Sequence, residues 1–444
     1  MQSKKRQLML GAGATALSTL LPAGKAGAVA TTPVRTLVAA YFGGWCNPMD
    51  SSQRWIHGDN PWGTYPTPAR PKATHRMGLF PERFPLSLQA ADDSNQMAQH
   101  YMDEEILTAS QYGIDVFAMN WFRDEFLNYP VINFKNSPHN DRMSFFLQWS
   151  NNSNTSNDPP QDTREYFFEG IRRAALHMAH PSYWKIGGKP VFAIYSVAQI
   201  DRIIFATRGL PSDYKYAKGE AQPAHDAFLQ DCHNIVTNVL VHNDNTGGIT
   251  GVGNAAKVMN HGLASQPSTI PTSGITGTLV QSMYLLVGTS DIGSWGMCET
   301  VQGMYVYNIR SKWVGDTQVK VTSYDDMMKT AVSQYNLYIS SMRNFTHGKT
   351  TWWPTLMAGF DDSPWQASDT LAQHCLPTPQ QFAQHCAQVS AAHVGNTDTT
   401  GGITFICAWN EYGEGSWISP TSAIYNSRLE SIQKYLKNGV PYTG

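Results

Sequence analysis

Short apolar runs recur along this chain, each separated from the next by a longer stretch of helical periodicity, and this alternation limits the fold more than any other feature. The runs at 37–42, 116–120, 145–149, 191–195, 304–307, 355–358 and 403–408 are nearly continuous in apolar residues. Strands of a parallel sheet read this way, because crossover helices bury both of their faces. Helical periodicity follows at 95–112, 163–180 and 225–242, with a last amphipathic stretch at 425–436. A weaker strand near 249–253 brings the runs to eight. Eight βα repeats with no internal linker predict a (β/α)8 TIM barrel, an α/β fold in one large domain with long βα loops. The stretch 257–299 has no clear period and reads as an insertion.

Residues 1–30 read as a targeting segment, which leaves 31–444 for the barrel. Lys4-Lys5-Arg6 precedes an apolar stretch at 8–21 and the small-residue site Ala28-Val29-Ala30, a signal peptide by length and flanks. Lys5-Arg6 stands in the paired position of a twin-arginine signal, and Lys in place of the first Arg keeps the general secretory route open. No later stretch is apolar enough for a membrane helix. The expectation is a bacterial protein that works in the periplasm or outside the cell.

A net charge of −2 over 444 residues argues against nucleic acid or an anionic membrane as the main partner. Charged residues make up only 15%, while aromatics reach 11% with 13 Trp and 20 Tyr. Sugar rings stack their apolar faces on such side chains, although a large core also consumes them. Cys375 and Cys386 close a repeated Ala-Gln-His-Cys phrase, which is a local disulfide or an accident of sequence and fits no zinc spacing. His57, His75, His177 and His180 have no metal-ligand spacing either, and no metal is expected. Gly251-Val252-Gly253-Asn254-Ala255-Ala256 imitates a dinucleotide loop. It lacks the acidic residue such a loop needs, because no Asp or Glu lies between Asp244 and Asp291.

A parallel barrel builds its site at the C-terminal ends of its strands. Tyr41 and Trp45 follow the first run, Trp121 the second, Trp149 and Asn152 the third, and Tyr195 the fourth. Asp361, Asp362 and Trp365 follow the run at 355–358, and Asn410 to Trp417 follow the last. These residues, with Asn410 and Trp417 among them, are the candidate substrate-binding set. Glu411 and Glu414 are the candidate catalytic pair: glycosidic cleavage needs one carboxyl to protonate the departing oxygen and another to act as base or nucleophile. Gly413 and Gly415 permit the sharp turn that brings both into one cleft. The same residues would also suit an acidic helix start.

Ala408-Trp409-Asn410-Glu411-Tyr412-Gly413-Glu414-Gly415 resembles the signature of family 99 glycoside hydrolases and their WbsX-type relatives. Val38 to Trp45, Tyr112-Gly113-Ile114-Asp115-Val116-Phe117, Gly188-Lys189-Pro190-Val191-Phe192-Ala193-Ile194-Tyr195 and Gly359-Phe360-Asp361-Asp362-Ser363-Pro364 match in the same order. The resemblance implies retaining, endo-acting hydrolysis of α-mannosides with no metal or organic cofactor. It also implies the roles: Glu411 as base toward the sugar's 2-hydroxyl, which displaces the leaving group as a 1,2-anhydro sugar, and Glu414 as acid, then base. Two departures weaken the implied sugar. Asn151-Asn152 stands where the WbsX-type relatives commonly have Asn-Glu, and Trp365 ends a segment that closes on Arg in those relatives. The expectation is therefore an exported hydrolase of an α-linked glycan or exopolysaccharide. A non-catalytic glycan-binding barrel and a glycosyltransferase-like relative are the other readings.

Overall fold

The structure, a computed structural model, describes residues 36–45, 77–89, 97–123, 128–151, 163–217, 219–241, 282–289, 292–314, 317–346, 349–366 and 372–444. One sheet holds nine parallel strands: β1 (Thr36–Tyr41), β2 (Val116–Trp121), β3 (Ser144–Trp149), β4 (Lys189–Ile194), β5 (Tyr284–Gly288), β6 (Gly303–Tyr305), β7 (Thr351–Trp353), β8 (Thr355–Met357) and β9 (Ile403–Cys407). Their order is β7-β6-β5-β4-β3-β2-β1-β9-β8. The two ends of that order, β7 and β8, are consecutive in the chain and separated only by Pro354, which has no N–H to give a ladder. Trp353 lies in register with Tyr305 on one side, and Thr355 with Phe405 on the other. A single strand broken at its proline thus closes a barrel of eight positions.

The strands are buried almost throughout, which explains their unbroken apolar character. Around them run α1 (Met97–Gln111), α2 (Tyr129–Asn136), α3 (Arg164–His177), α4 (Val197–Thr207), α5 (Ala221–Val241), α6 (Tyr324–Phe345) and α7 (Pro379–His393). Caps written in the sequence begin three of them. Thr163 accepts from the Tyr166 amide, Ser323 accepts from the Asp326 amide, and Thr378 with Gln381 forms a reciprocal capping box. Each satisfies amides that a helix start leaves unpaired. Among the described residues no helix is long and apolar enough to cross a membrane.

Two strand expectations need correction. The run at 249–253 lies outside the described residues, and the position between β4 and β6 is filled by Tyr284–Gly288, inside the stretch read as an insertion. The apolar run Met283 to Val287 was present, but the helical stretch at 225–242 before it reads as leading to the nearer run at 249–253. Thr351–Trp353 was also missed, because a Trp-Trp-Pro run does not read as a sheet interior. The segment 1–30, the imitation glycine loop, His57 and His75 lie outside the described residues. Cys375 and Cys386 are both free and buried, so the repeated phrase forms no disulfide. Inside α1, the Glu105 carboxyl is 1% exposed and accepts from Ser87 Oγ at 2.6 Å; burial pushes it up to about 8.

Candidate active site

Beyond β9 the chain turns back on itself in a short hairpin, Asn410–Glu411 pairing antiparallel with Ser416–Trp417 around the turn Tyr412–Glu414. Asn410 is fully buried, and its carboxamide is spent on one backbone unit: Oδ1 accepts from the Phe42 amide at 2.7 Å and Nδ2 donates to the Phe42 carbonyl at 2.8 Å. The hairpin is thereby fastened to the end of β1. On its other side it is pressed onto the segment that follows β8. A Cβ at Gly413 would lie 2.3 Å from Trp365 Cζ2, and one at Gly415 (φ +69°) would lie 2.4 Å from the Asp361 amide nitrogen. Both glycines are required by close approach, and Gly415 by its left-handed backbone as well. Ser416 Oγ donates to the Gly359 carbonyl at 2.5 Å and completes the attachment.

Arg83 lies beneath this hairpin at 1% exposure. It donates to the Asp361 carboxylate at 2.7 Å, the Asp361 carbonyl at 3.1 Å and the Tyr412 carbonyl at 3.0 Å. One guanidinium therefore ties the two site loops together. Its guanidinium carbon lies 4.7 Å from the Phe80 ring and 5.5 Å from the Trp417 ring, and Arg428 stands 4.6 Å from the latter. Arg428 also donates to the Trp417 carbonyl. Trp417 is thus flanked by two buried cations, an arrangement in which aromatic faces stabilise desolvated guanidinium groups.

Glu411 and Glu414 leave this braced loop with their carboxyls recessed. Tyr307, two residues past β6, donates to Glu411 Oε1 at 3.1 Å, and the Tyr195 ring packs edge-on against Tyr307 at 5.2 Å. Glu414 Oε2 is buried and has no hydrogen-bond partner among the described residues. Burial and the Glu414 charge push the Glu411 carboxyl up to about 8, against the Tyr307 hydrogen bond that lowers it. Burial raises Glu414 too, with Asp362 adding to the rise and Arg310 opposing it. Two close carboxyls of this kind titrate as one unit and hold a single proton over a range of pH. Arg310 favours charge on Glu414, and the Tyr307 hydrogen bond favours charge on Glu411. Tyr195 is raised to about 12 by burial, then by Glu414.

Residues 287–432 match the family model described as Glycosyltransferase WbsX. Two solved structures of the GH99 endo-α-mannosidase of Bacteroides thetaiotaomicron align over most of the chain. One, in complex with bis-tris-propane, is 11% identical with 87% of both chains covered and a TM-score of 0.41. The other is 12% identical, covers 91% of this chain and 98% of its own, and has a TM-score of 0.48. A third solved structure, described as a glycoside hydrolase-like protein, is 11% identical, with 94% and 97% covered and a TM-score of 0.51, and it shares the fold. The similarity to the WbsX family model is confined to the C-terminal part of the barrel, from β5 to the helix after β9. No curated protein matches it in sequence.

The barrel gathers only part of the expected binding set around its two glutamates. Tyr195, Asp362 and Trp365 are half-buried beside them. Asp362 is already engaged, accepting from the Gln373 amide at 2.8 Å and from Gln366 Nε2 at 2.7 Å. Five aromatics expected in the cleft are sealed: Tyr41, Trp45, Trp121, Trp149 and Trp417 are each at most 2% exposed. Trp149 points outward to α3, where a Cβ on Gly170 would lie 2.6 Å from its ring. Trp121 packs 5.9 Å from Trp149, and Tyr41 4.9 Å from Phe117. Trp45 and Trp417 join Met77 and Tyr412 in a small apolar cluster, on which Trp365 packs. Trp45 and Trp417 are the floor of the hairpin, and Tyr41, Trp121 and Trp149 belong to the main core. Asp361 and Asn410 are structural as well, committed to Arg83 and Phe42, and Asn152 lies outside the described residues. Arg83, Tyr307 and Arg310 were missed. Nothing local in Pro81-Glu82-Arg83 marks a buried cation, whereas Tyr307 and Arg310 do follow an apolar run and were open to the same strand-end logic.

Proposed function

We propose that the protein hydrolyses an α-linked glycan, with Glu411 and Glu414 as its catalytic carboxyl pair. The observation that carries this reading is the pair itself: two recessed carboxyls on one braced loop at the strand C-terminal mouth, kept partly protonated by burial and by each other. Acid–base catalysis near neutral pH needs this state, with one carboxyl able to donate while the other accepts.

The roles follow the motif resemblance. Ionised Glu411 takes the proton of the 2-hydroxyl, whose oxygen bonds to the anomeric carbon as the glycosidic bond breaks. Glu414 delivers its proton to the leaving oxygen. Water then loses a proton to Glu414 and attacks the anomeric carbon, the strained C–O2 bond opens, and Glu411 returns its proton to O2. The configuration is retained. This sequence starts with the pair's shared proton on Glu414. Passing one proton between two carboxyls that share it changes no net charge, so the arrangements with it on either carboxyl are tautomers.

The sugar itself is left to experiment, and we propose an exported setting on the strength of the segment 1–30. Incubation of the purified protein with soluble α-linked polysaccharides, with products read by mass spectrometry, tests the reading. Shortened chains with α-configured reducing ends are the expected products, and a 2-deoxy substrate should be inert. Rapid cleavage of the 2-deoxy substrate with a glycosyl adduct on either Glu would replace the proposed route by direct attack. The WbsX description favours a second reading, transfer of the glycosyl group to a sugar hydroxyl instead of water. Products longer than the substrate would reveal it.

A further inference from the structure

Between β6 and α6 the chain builds a two-stranded hairpin, Ser311–Val314 paired antiparallel with Thr317–Lys320, on the same mouth of the barrel as the glutamates. We infer that this hairpin is a second carbohydrate-binding surface, on which Trp313 stacks a distal sugar of the chain held at Glu411 and Glu414. The inference rests on the glycan-active reading of that site.

Trp313 is 69% exposed, whereas the tryptophans around the glutamates are sealed or half-buried. Its register partner is Gln318, and Ser311 pairs with Lys320. Period-two alternation therefore places Ser311, Trp313, Gln318 and Lys320 on one face. Gln318 Nε2 donates to Ser311 Oγ at 2.6 Å, so a polar fringe lies beside the ring. A flat apolar ring edged by amide, hydroxyl and ammonium suits a sugar, whose C–H face is apolar and whose rim is hydroxyl.

The opposite face is the anchored one. Lys312 ion-pairs with Asp326 in the first turn of α6, which turns the Trp313 face away from the helix. The base of the hairpin is joined to the site wall. Val321 N donates to the Arg310 carbonyl at 3.0 Å, and Gln373 Nε2 donates to the carbonyls of Arg310 (3.1 Å) and Val321 (2.8 Å). The Gln373 amide in turn donates to Asp362, whose charge bears on Glu414. Trp313 is three residues beyond Arg310, about 10 Å at the rise of a strand, so a glycan chain rather than a single sugar touches both places.

The test is affinity electrophoresis of the full protein in gels containing soluble yeast α-mannan, dextran or pullulan, together with kinetics on any polymer that is cleaved. At least one polymer should retard the wild type. Trp313→Ala should weaken that retardation about three- to ten-fold and raise KM for the polymer, with kcat, Tm and the rate on a short oligosaccharide unchanged. Val314→Ser, on the anchored face, should migrate as wild type. The inference is overturned if no polymer retards the wild type, if Trp313→Ala is retarded as before, or if Val314→Ser loses as much. Retardation that depends on Trp313 with no polymer cleaved keeps the surface and removes the catalytic reading. Cleavage with an unchanged KM in Trp313→Ala does the reverse.

Discussion

Gly413→Ala tests how tightly the glutamate loop is held. The new Cβ would meet Trp365 at 2.3 Å (Cζ2), 2.5 Å (Cε2) and 2.7 Å (Nε1). Carbon atoms rest about 3.5–4.0 Å apart, so the ring or the turn has to move by roughly 1 Å. Trp365 has little room to retreat, because it packs on Trp45, Met77, Tyr412 and Trp417. Overpacking of this kind costs about 1–3 kcal/mol, read by chemical denaturation. If the turn moves, both carboxyls move with it, and a ~1 Å misplacement lowers turnover on the order of 100-fold. Trp365→Ala removes the obstacle. The double variant Gly413→Ala/Trp365→Ala should be more stable than the two single effects summed, with a coupling of at least ~0.5 kcal/mol. Wild-type stability in Gly413→Ala, or single effects that simply add, would refute the claim that Trp365 braces the turn.

Arg83→Met should lower stability by about 3–5 kcal/mol in denaturant titration, because the buried Asp361 loses its guanidinium partner and keeps Ser363 and His374; Asp361→Asn in that background should return part of the loss. Glu105→Gln should be more stable than wild type by a margin that depends on pH. The folded carboxyl, at about 8, holds its proton above the unfolded value. Wild-type stability is therefore fullest below pH ~4.5 and declines up to pH ~8, and the variant's advantage should grow over that window to a few kcal/mol and then level off. In pH–rate profiles the alkaline limb should fall near pH 8, where the Glu411–Glu414 pair loses its shared proton. Tyr307→Phe removes a hydrogen bond that favours ionised Glu411, so this limb should move up by about one pH unit, whereas a shift downward would contradict the assignment.

The barrel was legible because its burial is local. Strands such as Val116–Trp121 and Ile403–Cys407 are apolar but for one residue each, Asn120 and Thr404, and that signal does not depend on partners. Thr351–Trp353 escaped because its place is decided by closure of the sheet, a property of the whole ring, and Tyr284–Gly288 because a nearer apolar run, 249–253, followed the helix before it. The loop bearing Glu411 and Glu414 was legible from residue types and glycine spacing. The roles of its neighbours were not, because a tryptophan at a strand end has the same letter whether it faces a cleft or supports a turn. Trp149 is decided by Gly170 and Trp417 by Arg83 and Arg428, none of them adjacent in sequence. Trp313 was passed over for the converse reason: it lies in a hairpin with no apolar run to draw attention to it.

The division of labour between the two glutamates is tested most directly by comparing Glu411→Gln and Glu414→Gln on a cleaved polysaccharide and on an aryl α-glycoside of the same sugar, whose leaving group needs no proton. On the polysaccharide both variants should lose at least 10²- to 10⁴-fold in kcat/KM. On the aryl glycoside Glu414→Gln should recover most of its rate, since only proton donation is missing, and Glu411→Gln should stay inactive, since the 2-hydroxyl remains unactivated. Recovery of Glu411→Gln in place of Glu414→Gln, or wild-type cleavage of the polysaccharide by either variant, would contradict the account.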